Sequence, residues 1–197
     1  MMLREALTPI LGSPTKLRLL RPLFASPDRS WTGRELARTA RVSVAQAARD
    51  LRELSETSLV TREVAGKAYF WRLNPAHVLR PALADLFVRE AGLRTELLRV
   101  VTEGLQSARL ERARLFGSIS RGEERADSDI DLYLEIRGPS DRQRAEVAVD
   151  SMRSRLWDRF GNPVSALIYT RAEASHPRNP SLLRTIEEEG LDVLGGL

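Results

Sequence analysis

Leu115-Phe116-Gly117-Ser118-Ile119-Ser120-Arg121-Gly122, followed by Asp127-Ser128-Asp129-Ile130-Asp131-Leu132-Tyr133-Leu134, is the stretch on which the second half of this chain turns. The apolar run Ala113 to Phe116 has the character of a buried strand, and it stops at Gly117, where glycine permits a sharp turn and close backbone approach. Ser118 then opens a short helix. Its free N–H groups and positive dipole end attract phosphate, and its hydroxyl adds a donor. Arg121 is placed to help as a cation. In the next strand side chains alternate, so Ile130, Leu132, Leu134 and Ile136 share one face while Asp129, Asp131, Tyr133 and Glu135 share the other.

Aspartate is depleted from strands, so two of them around a β-branched residue in an otherwise core-quality strand need a reason. A divalent metal supplies one, because Mg²⁺ is commonly held by one or two carboxylates together with a substrate's phosphates. A solvated strand face is the alternative for a bare Asp-x-Asp. The Gly117-Ser118 turn upstream favours the metal.

These residues resemble the Gly-Ser…Asp-x-Asp signature of the DNA polymerase β nucleotidyltransferase superfamily in its minimal form, from about Glu111 to the C-terminus, with Gly190-Leu191-Asp192-Val193-Leu194-Gly195 resembling the closing strand. The resemblance implies that Gly117 and Ser118 hold nucleotide phosphates, next to the Arg121 cation nominated from the turn itself. It further implies that Asp129 and Asp131 are the catalytic carboxylates and bind Mg²⁺ or Mn²⁺, and that the reaction transfers a nucleoside monophosphate to a hydroxyl. Active members carry a third carboxylate on a later strand. Here that strand reads Pro163-Val164-Ser165-Ala166-Leu167-Ile168-Tyr169, with Ser165 where the acid is expected. Glu135 is a poor substitute, because at ~3.3 Å per residue its Cα lies about 13 Å from that of Asp131, whereas paired catalytic metals sit ~3.5–4 Å apart.

The first third carries an independent signal. Ser13-Pro14 is a helix start ahead of Leu17, Leu19, Leu20 and Leu23. Thr32 and Glu35 form a capping box with Trp31 and Leu36 at the staple positions, opening a short helix over Gly33 to Thr39. Ser43 and Gln46 form a second box before a helix with Ala47, Ala48, Leu51 and Leu54 inward. Two capped helices joined by Ala40-Arg41-Val42 make a helix-turn-helix. Leu59 to Val64 and Ala68 to Leu73 then read as a hairpin around Ala65-Gly66-Lys67, with Tyr69, Phe70 and Trp71 as core and wing support.

This stretch, through Leu51-Arg52-Glu53-Leu54 and Leu59-Val60-Thr61-Arg62, resembles bacterial winged-helix transcription regulators. The whole chain resembles proteins that join such a domain to a minimal nucleotidyltransferase domain. In a DNA reader the outward face of the second box's helix enters the major groove, which nominates Ala45, Gln46, Arg49 and Arg52, with Arg62 and Lys67 meeting phosphates from the wing. A solvated helix face is the alternative for any one arginine. The charge distribution weighs against it: residues 1–75 hold 13 Lys+Arg and 7 Asp+Glu, leaving 18 and 20 for the rest. Phosphate attraction supplies much of non-specific DNA affinity, so a basic surplus confined to this part suits DNA binding.

The expected architecture is α+β: a winged helix over residues 1–75 (three helices plus a β-hairpin wing), a helical connector over 76–108, and a nucleotidyltransferase-like mixed sheet flanked by helices over 109–197. In the connector, Val78, Leu79, Leu83, Leu86, Phe87, Leu93, Leu97, Leu98, Val101 and Leu105 recur at helical spacing, read as two helices broken near Ala91-Gly92. That apolar stripe suits domain packing or a dimer seam, and a homodimer is expected because two-fold half-sites match a two-fold protein. The C-terminal part should carry helices over about 140–160 and 181–189, with Glu187-Glu188-Glu189 solvated.

Composition sets limits. At 197 residues with 42% hydrophobic content, the chain can build real cores. No apolar run approaches the ~18 residues of a membrane span, and no secretory signal is read, so a cytoplasmic location is expected. The absence of cysteine excludes thiol chemistry, and the two histidines, His77 and His176, make poor zinc ligands. Two readings stay open: a DNA-binding transcription regulator whose second domain senses nucleotide or metal or binds a protein partner, and an active metal-dependent nucleotidyltransferase, including antitoxin-like forms, acting on protein, RNA or a small molecule. The motif favours the second and the missing acid the first.

Overall fold

A computed structural model of the chain describes residues 5–66, 68–123, 125 and 128–194. It divides into two compact units, residues 1–92 and 93–197. Both mix helices with sheet, so the chain is α+β.

The first unit begins with α1 (Thr8–Leu11) and α2 (Pro14–Ala25), followed by β1 (Trp31–Thr32), α3 (Gly33–Thr39) and α4 (Val44–Glu56). The strands β2 (Val60–Ala65) and β3 (Ala68–Leu73) form an antiparallel hairpin, and β1, which sequence patterning did not reveal, pairs with β3 to give the order β1-β3-β2. At the hairpin end Ala65 pairs with Ala68. A two-residue connection demands positive φ, and Gly66 supplies it at 63°. Lys67 lies outside the described residues.

Local capping explains where α3 and α4 start. Thr32 accepts from the Glu35 amide while the Glu35 carboxylate accepts from the Thr32 amide, a complete box. Ser43 accepts from the Gln46 amide, but Gln46 does not return the bond, its side chain going to Asp50 instead. Ser13 precedes α2 without capping it through its hydroxyl, which meets Thr15. The turn from α3 to α4 needs a left-handed residue, and in the absence of glycine Arg41 takes φ 52°. Leu19, Leu20, Leu23, Leu36, Leu51, Leu54 and Leu59 are sealed from solvent, each contributing ~1.5–3 kcal/mol through burial.

Helix α5 (Arg80–Leu105) corrects the expected break: it runs through Ala91-Gly92 uninterrupted for 26 residues. A single interior glycine costs only ~1 kcal/mol relative to alanine, too little to end a long helix without proline or a cap.

In the second unit, β4 (Leu110–Phe116), β5 (Ile130–Ile136), β6 (Val164–Thr170) and β7 (Leu191–Asp192) form a sheet of order β6-β5-β4-β7. Strands β5 and β6 are parallel, and the other pairs antiparallel. The single turn α6 (Ser118–Arg121) follows β4, and a 3₁₀ turn (Pro139–Asp141) leads into α7 (Arg142–Phe160). Gly161, at φ 73°, ends α7 in the left-handed conformation. On one sheet face Leu115, Ile130, Leu132 and Leu134 pack with Leu97, Val100, Val101 and Leu105 of α5 and with Val149, Met152 and Leu156 of α7. The other face carries Asp131, Tyr133 and Glu135 and is bordered by α8 (Arg171–Ser175) and α9 (Pro180–Glu189). Among the described residues no helix is long and apolar enough to cross a membrane.

Candidate functional site

The last residue of β4, Phe116, pairs in register with Asp131 of β5, so the turn that follows β4 falls beside that carboxylate. Gly117 takes φ +79°, and a Cβ there would stand 2.4 Å from the Asp131 Oδ2. Glycine is thus required twice, for the backbone angle and for the approach. Ser118 begins α6, where the Ser120 hydroxyl donates to the Gly117 carbonyl at 2.8 Å and Arg94 donates to the Ser120 carbonyl at 2.7 Å. The turn is thereby tied both to itself and to α5.

Burial raises the Asp131 carboxyl above its ordinary pKa, and the nearby Asp129 carboxylate raises it further. Among the described residues neither aspartate has a hydrogen-bond or ion-pair partner. Two neighbouring acids, one partly desolvated and with no counterion among the described residues, are an electrostatic arrangement that a bound cation relieves. Hard oxygen ligands of this kind suit Mg²⁺ or Mn²⁺. The described residues contain no group of three His, Cys, Asp or Glu side chains able to hold a metal, so the pair supplies only part of a ligand set. Asp127, also in the motif, lies outside the described residues.

Across the parallel pair, Ser165 is the register partner of Asp131. A hydroxyl therefore stands where a neighbouring strand would present a further acid. Glu135 is four residues along β5 and only 8% exposed, and its carboxylate accepts from the Tyr133 hydroxyl at 3.3 Å. Burial first, then Glu135, drives the Tyr133 phenol well above its usual range. The Tyr133 ring is itself buried, with its centroid 5.8 Å from that of Tyr169. Both residues share the aspartate face as alternation predicts, and among the described residues their side chains hydrogen-bond only to each other. Arg121, nominated for phosphate, is ion-paired with Glu123 at 2.9 Å and Glu189 at 3.2 Å, partners that hold its guanidinium protonated more firmly than usual. A phosphate would have to compete with both.

In the first unit Ala45, Arg49 and Arg52 are exposed on α4, and Gln46 is half-buried. Sequence reasoning missed the residue that organises them. Asp50 is 3% exposed and accepts from Thr15 of α2 at 2.5 Å and from Gln46 at 2.8 Å. The Gln46 carbonyl in turn accepts from Arg49. The available signal was an acid on the inward row of Ala47, Leu51 and Leu54. Arg62 stacks on the Tyr69 ring at 4.8 Å, and Arg52 and Arg62 together line an open cleft of about 490 Å³ between the end of α4 and the hairpin.

Residues 97–193 match the model of the nucleotidyltransferase domain family. Among solved structures, a possible transcriptional regulator from Methanosarcina mazei Go1 is similar at 13% identity and TM-score 0.32, over 49% of this chain and 85% of that one. A toxin–antitoxin complex crystallised with AMP-PNP is similar at 17% identity and TM-score 0.36, over 53% and 73%. The archaeal chromatin protein TrmBL2 is similar at 18% identity and TM-score 0.30, over 93% and 73%. Likenesses this distant carry no functional argument. No curated protein matches the chain significantly.

Proposed function

We propose that this protein is a DNA-binding transcription regulator whose nucleotidyltransferase domain binds a divalent cation and a nucleotide without efficient turnover. The observation that carries the reading is the contact of Gly117 with Asp131 on one side and the pairing of Asp131 with Ser165 on the other. The first supports binding, and the second leaves the acceptor side without an acid. Asp129 and Asp131 would hold Mg²⁺ or Mn²⁺, which neutralises charge on the phosphates of a nucleoside triphosphate. Gly117 lets those phosphates approach the backbone, and the Ser118 amide and hydroxyl donate to them. Arg121 would exchange Glu123 and Glu189 for phosphate.

In this reading residues 1–75 are a winged helix, joined by a connector to the domain at 109–197. Ala45, Gln46, Arg49 and Arg52 meet base edges in the major groove of double-stranded DNA, and Arg62 and Lys67 meet its phosphates. The protein works in the cytoplasm as a homodimer on two half-sites. Binding of double-stranded DNA by the wild type, with Arg49→Ala plus Lys67→Ala reducing affinity and, through the lost Lys67 phosphate contact, the slope of log K against log salt by ~1, is the expected result. An unchanged slope removes DNA from these residues.

The Gly117–Asp131 geometry also favours a second reading, an active nucleotidyltransferase acting on protein, RNA or a small molecule, with a protein partner in antitoxin-like forms. Incubation with labelled nucleoside triphosphates and Mg²⁺ or Mn²⁺ separates the two. Label transferred by wild type and not by Asp129→Asn plus Asp131→Asn establishes the enzyme. Metal-dependent nucleotide binding without transfer supports the regulator.

A further inference from the structure

Beyond the aspartates on the same face of the second unit's sheet, a cleft of about 470 Å³ opens between β4 and β5 on one side and α8 and α9 on the other. Glu135 and Tyr133 line it from β5, Arg112 from β4 as the register partner of Glu135, Arg171 from α8, and Leu183 and Ile186 from α9. Glu135 is 8% exposed, and its only partner among the described residues is the Tyr133 hydroxyl at 3.3 Å. A carboxylate removed from water normally has a cation or several donors. Here one oxygen takes one neutral donor, and the other, which accepts from nothing among the described residues and is not sealed from solvent, faces the cleft.

The arginines divide into two kinds. Arg114 is tied back to the protein through one guanidinium nitrogen, which meets the carbonyls of Ile186, Glu187 and Gly190. Arg112 makes a single long contact with Glu187 at 3.3 Å, and Arg171, 72% exposed, only approaches Glu111 at 3.9 Å. Both retain N–H donors for an anion. The lining holds Glu111, Glu135 and Glu187 against Arg112, Arg114 and Arg171, so its charges balance. A triphosphate would meet the buried acid, and a divalent metal would meet the arginines. A molecule bearing both signs meets neither penalty.

We propose that this cleft binds a small zwitterion of the α-amino acid type, with its ammonium on Glu135 and the Tyr133 oxygen, its carboxylate on Arg112 and Arg171, and its side chain against Leu183. The site is distinct from the aspartate pair, since four strand steps of ~3.3 Å each separate Glu135 from Asp131. It provides the regulator with a second, metal-independent effector.

The test is ligand-observed saturation-transfer NMR on the full chain without metal or nucleotide, so that the outcome does not depend on the nucleotide reading. Probes are a mixture of the twenty common amino acids, a mixture of the four ribonucleoside 5′-monophosphates, and methylammonium and acetate singly. At least one amino acid should bind, more tightly than either single-charge probe. Glu135→Gln and Arg171→Ala should each weaken it about tenfold, the scale of losing one charge-assisted contact. Arg171 is exposed, so that variant reports on binding even where Glu135→Gln perturbs the fold. Silence from every amino acid, binding by the mononucleotides alone, or affinity unchanged in Arg171→Ala overturns the proposal.

Discussion

Ser165 stands beside Asp131 in the parallel register of β5 and β6, a hydroxyl next to a carboxylate that burial and Asp129 already strain. Adjacent strands lie ~4.8 Å apart, so any acid at 165 would join the two aspartates in a compact cluster.

Ser165→Asp should therefore destabilise the metal-free protein, by ~0.2–1 kcal/mol for a like-charge cross-strand neighbour. Mn²⁺ should restore it. Thermal melts with and without Mn²⁺ should show a larger metal-induced rise in Tm for the variant than for wild type, and equal rises would mean that position 165 does not face the cation.

Gly117→Ala should cost ~1–3 kcal/mol in urea unfolding, the usual scale for a non-glycine residue held at unfavourable φ, because its methyl also meets the Asp131 carboxylate. Metal-dependent nucleotide binding should fall with it. Ser118→Ala, which adds no atoms, should lower nucleotide affinity and leave the unfolding midpoint nearly in place. A Gly117→Ala protein as stable as wild type would contradict the close approach.

The raised Asp131 pKa fixes the sign of a pH effect. Between its unfolded and folded pKa values the folded state binds more protons, so its contribution to stability declines as pH rises through that window and stays low above it. Asp131→Asn should remove this decline, and saturating Mg²⁺ should suppress it in wild type by favouring the ionised pair. Parallel stability profiles for wild type and variant from pH 3 to pH 7 would dismiss the effect.

Asp50→Ala should reduce stability by ~1–3 kcal/mol, since it strips buried partners from Thr15 and Gln46. It should also weaken double-stranded DNA binding, although Asp50 itself is buried, because Gln46 and Arg49 lose their anchor. Asp50→Asn should recover part of both. DNA affinity indifferent to Asp50→Ala would disconnect this chain of bonds from recognition.

Much of this was legible along the chain. Alternation in residues 129–136 correctly put Asp131, Tyr133 and Glu135 on one face and Ile130, Leu132 and Leu134 in the core. The Thr32–Glu35 box appears as read, and Gly117 is a glycine for a reason that geometry states outright. The errors are equally physical. Gln46 left its box because a buried acid four residues on offered a better partner. Gly92 did not interrupt α5, because one unfavourable residue is outweighed by the hydrogen bonds on either side of it.

Periodicity, caps and turn glycines act between residues within about one turn or one strand of each other, so the amino-acid order alone set most of the longer elements, their inward faces and the Gly117-Ser118/Asp129-Asp131 motif, but neither the short β1 nor the continuity of α5. Three features depend on contacts between distant segments: Ser165 beside Asp131 across 34 positions, Arg121 held by Glu189, and Glu135 lining a cleft with residues of α8 and α9. Strand register and helix docking are chosen by the packing of the whole apolar core, and a pattern of near neighbours does not encode that choice.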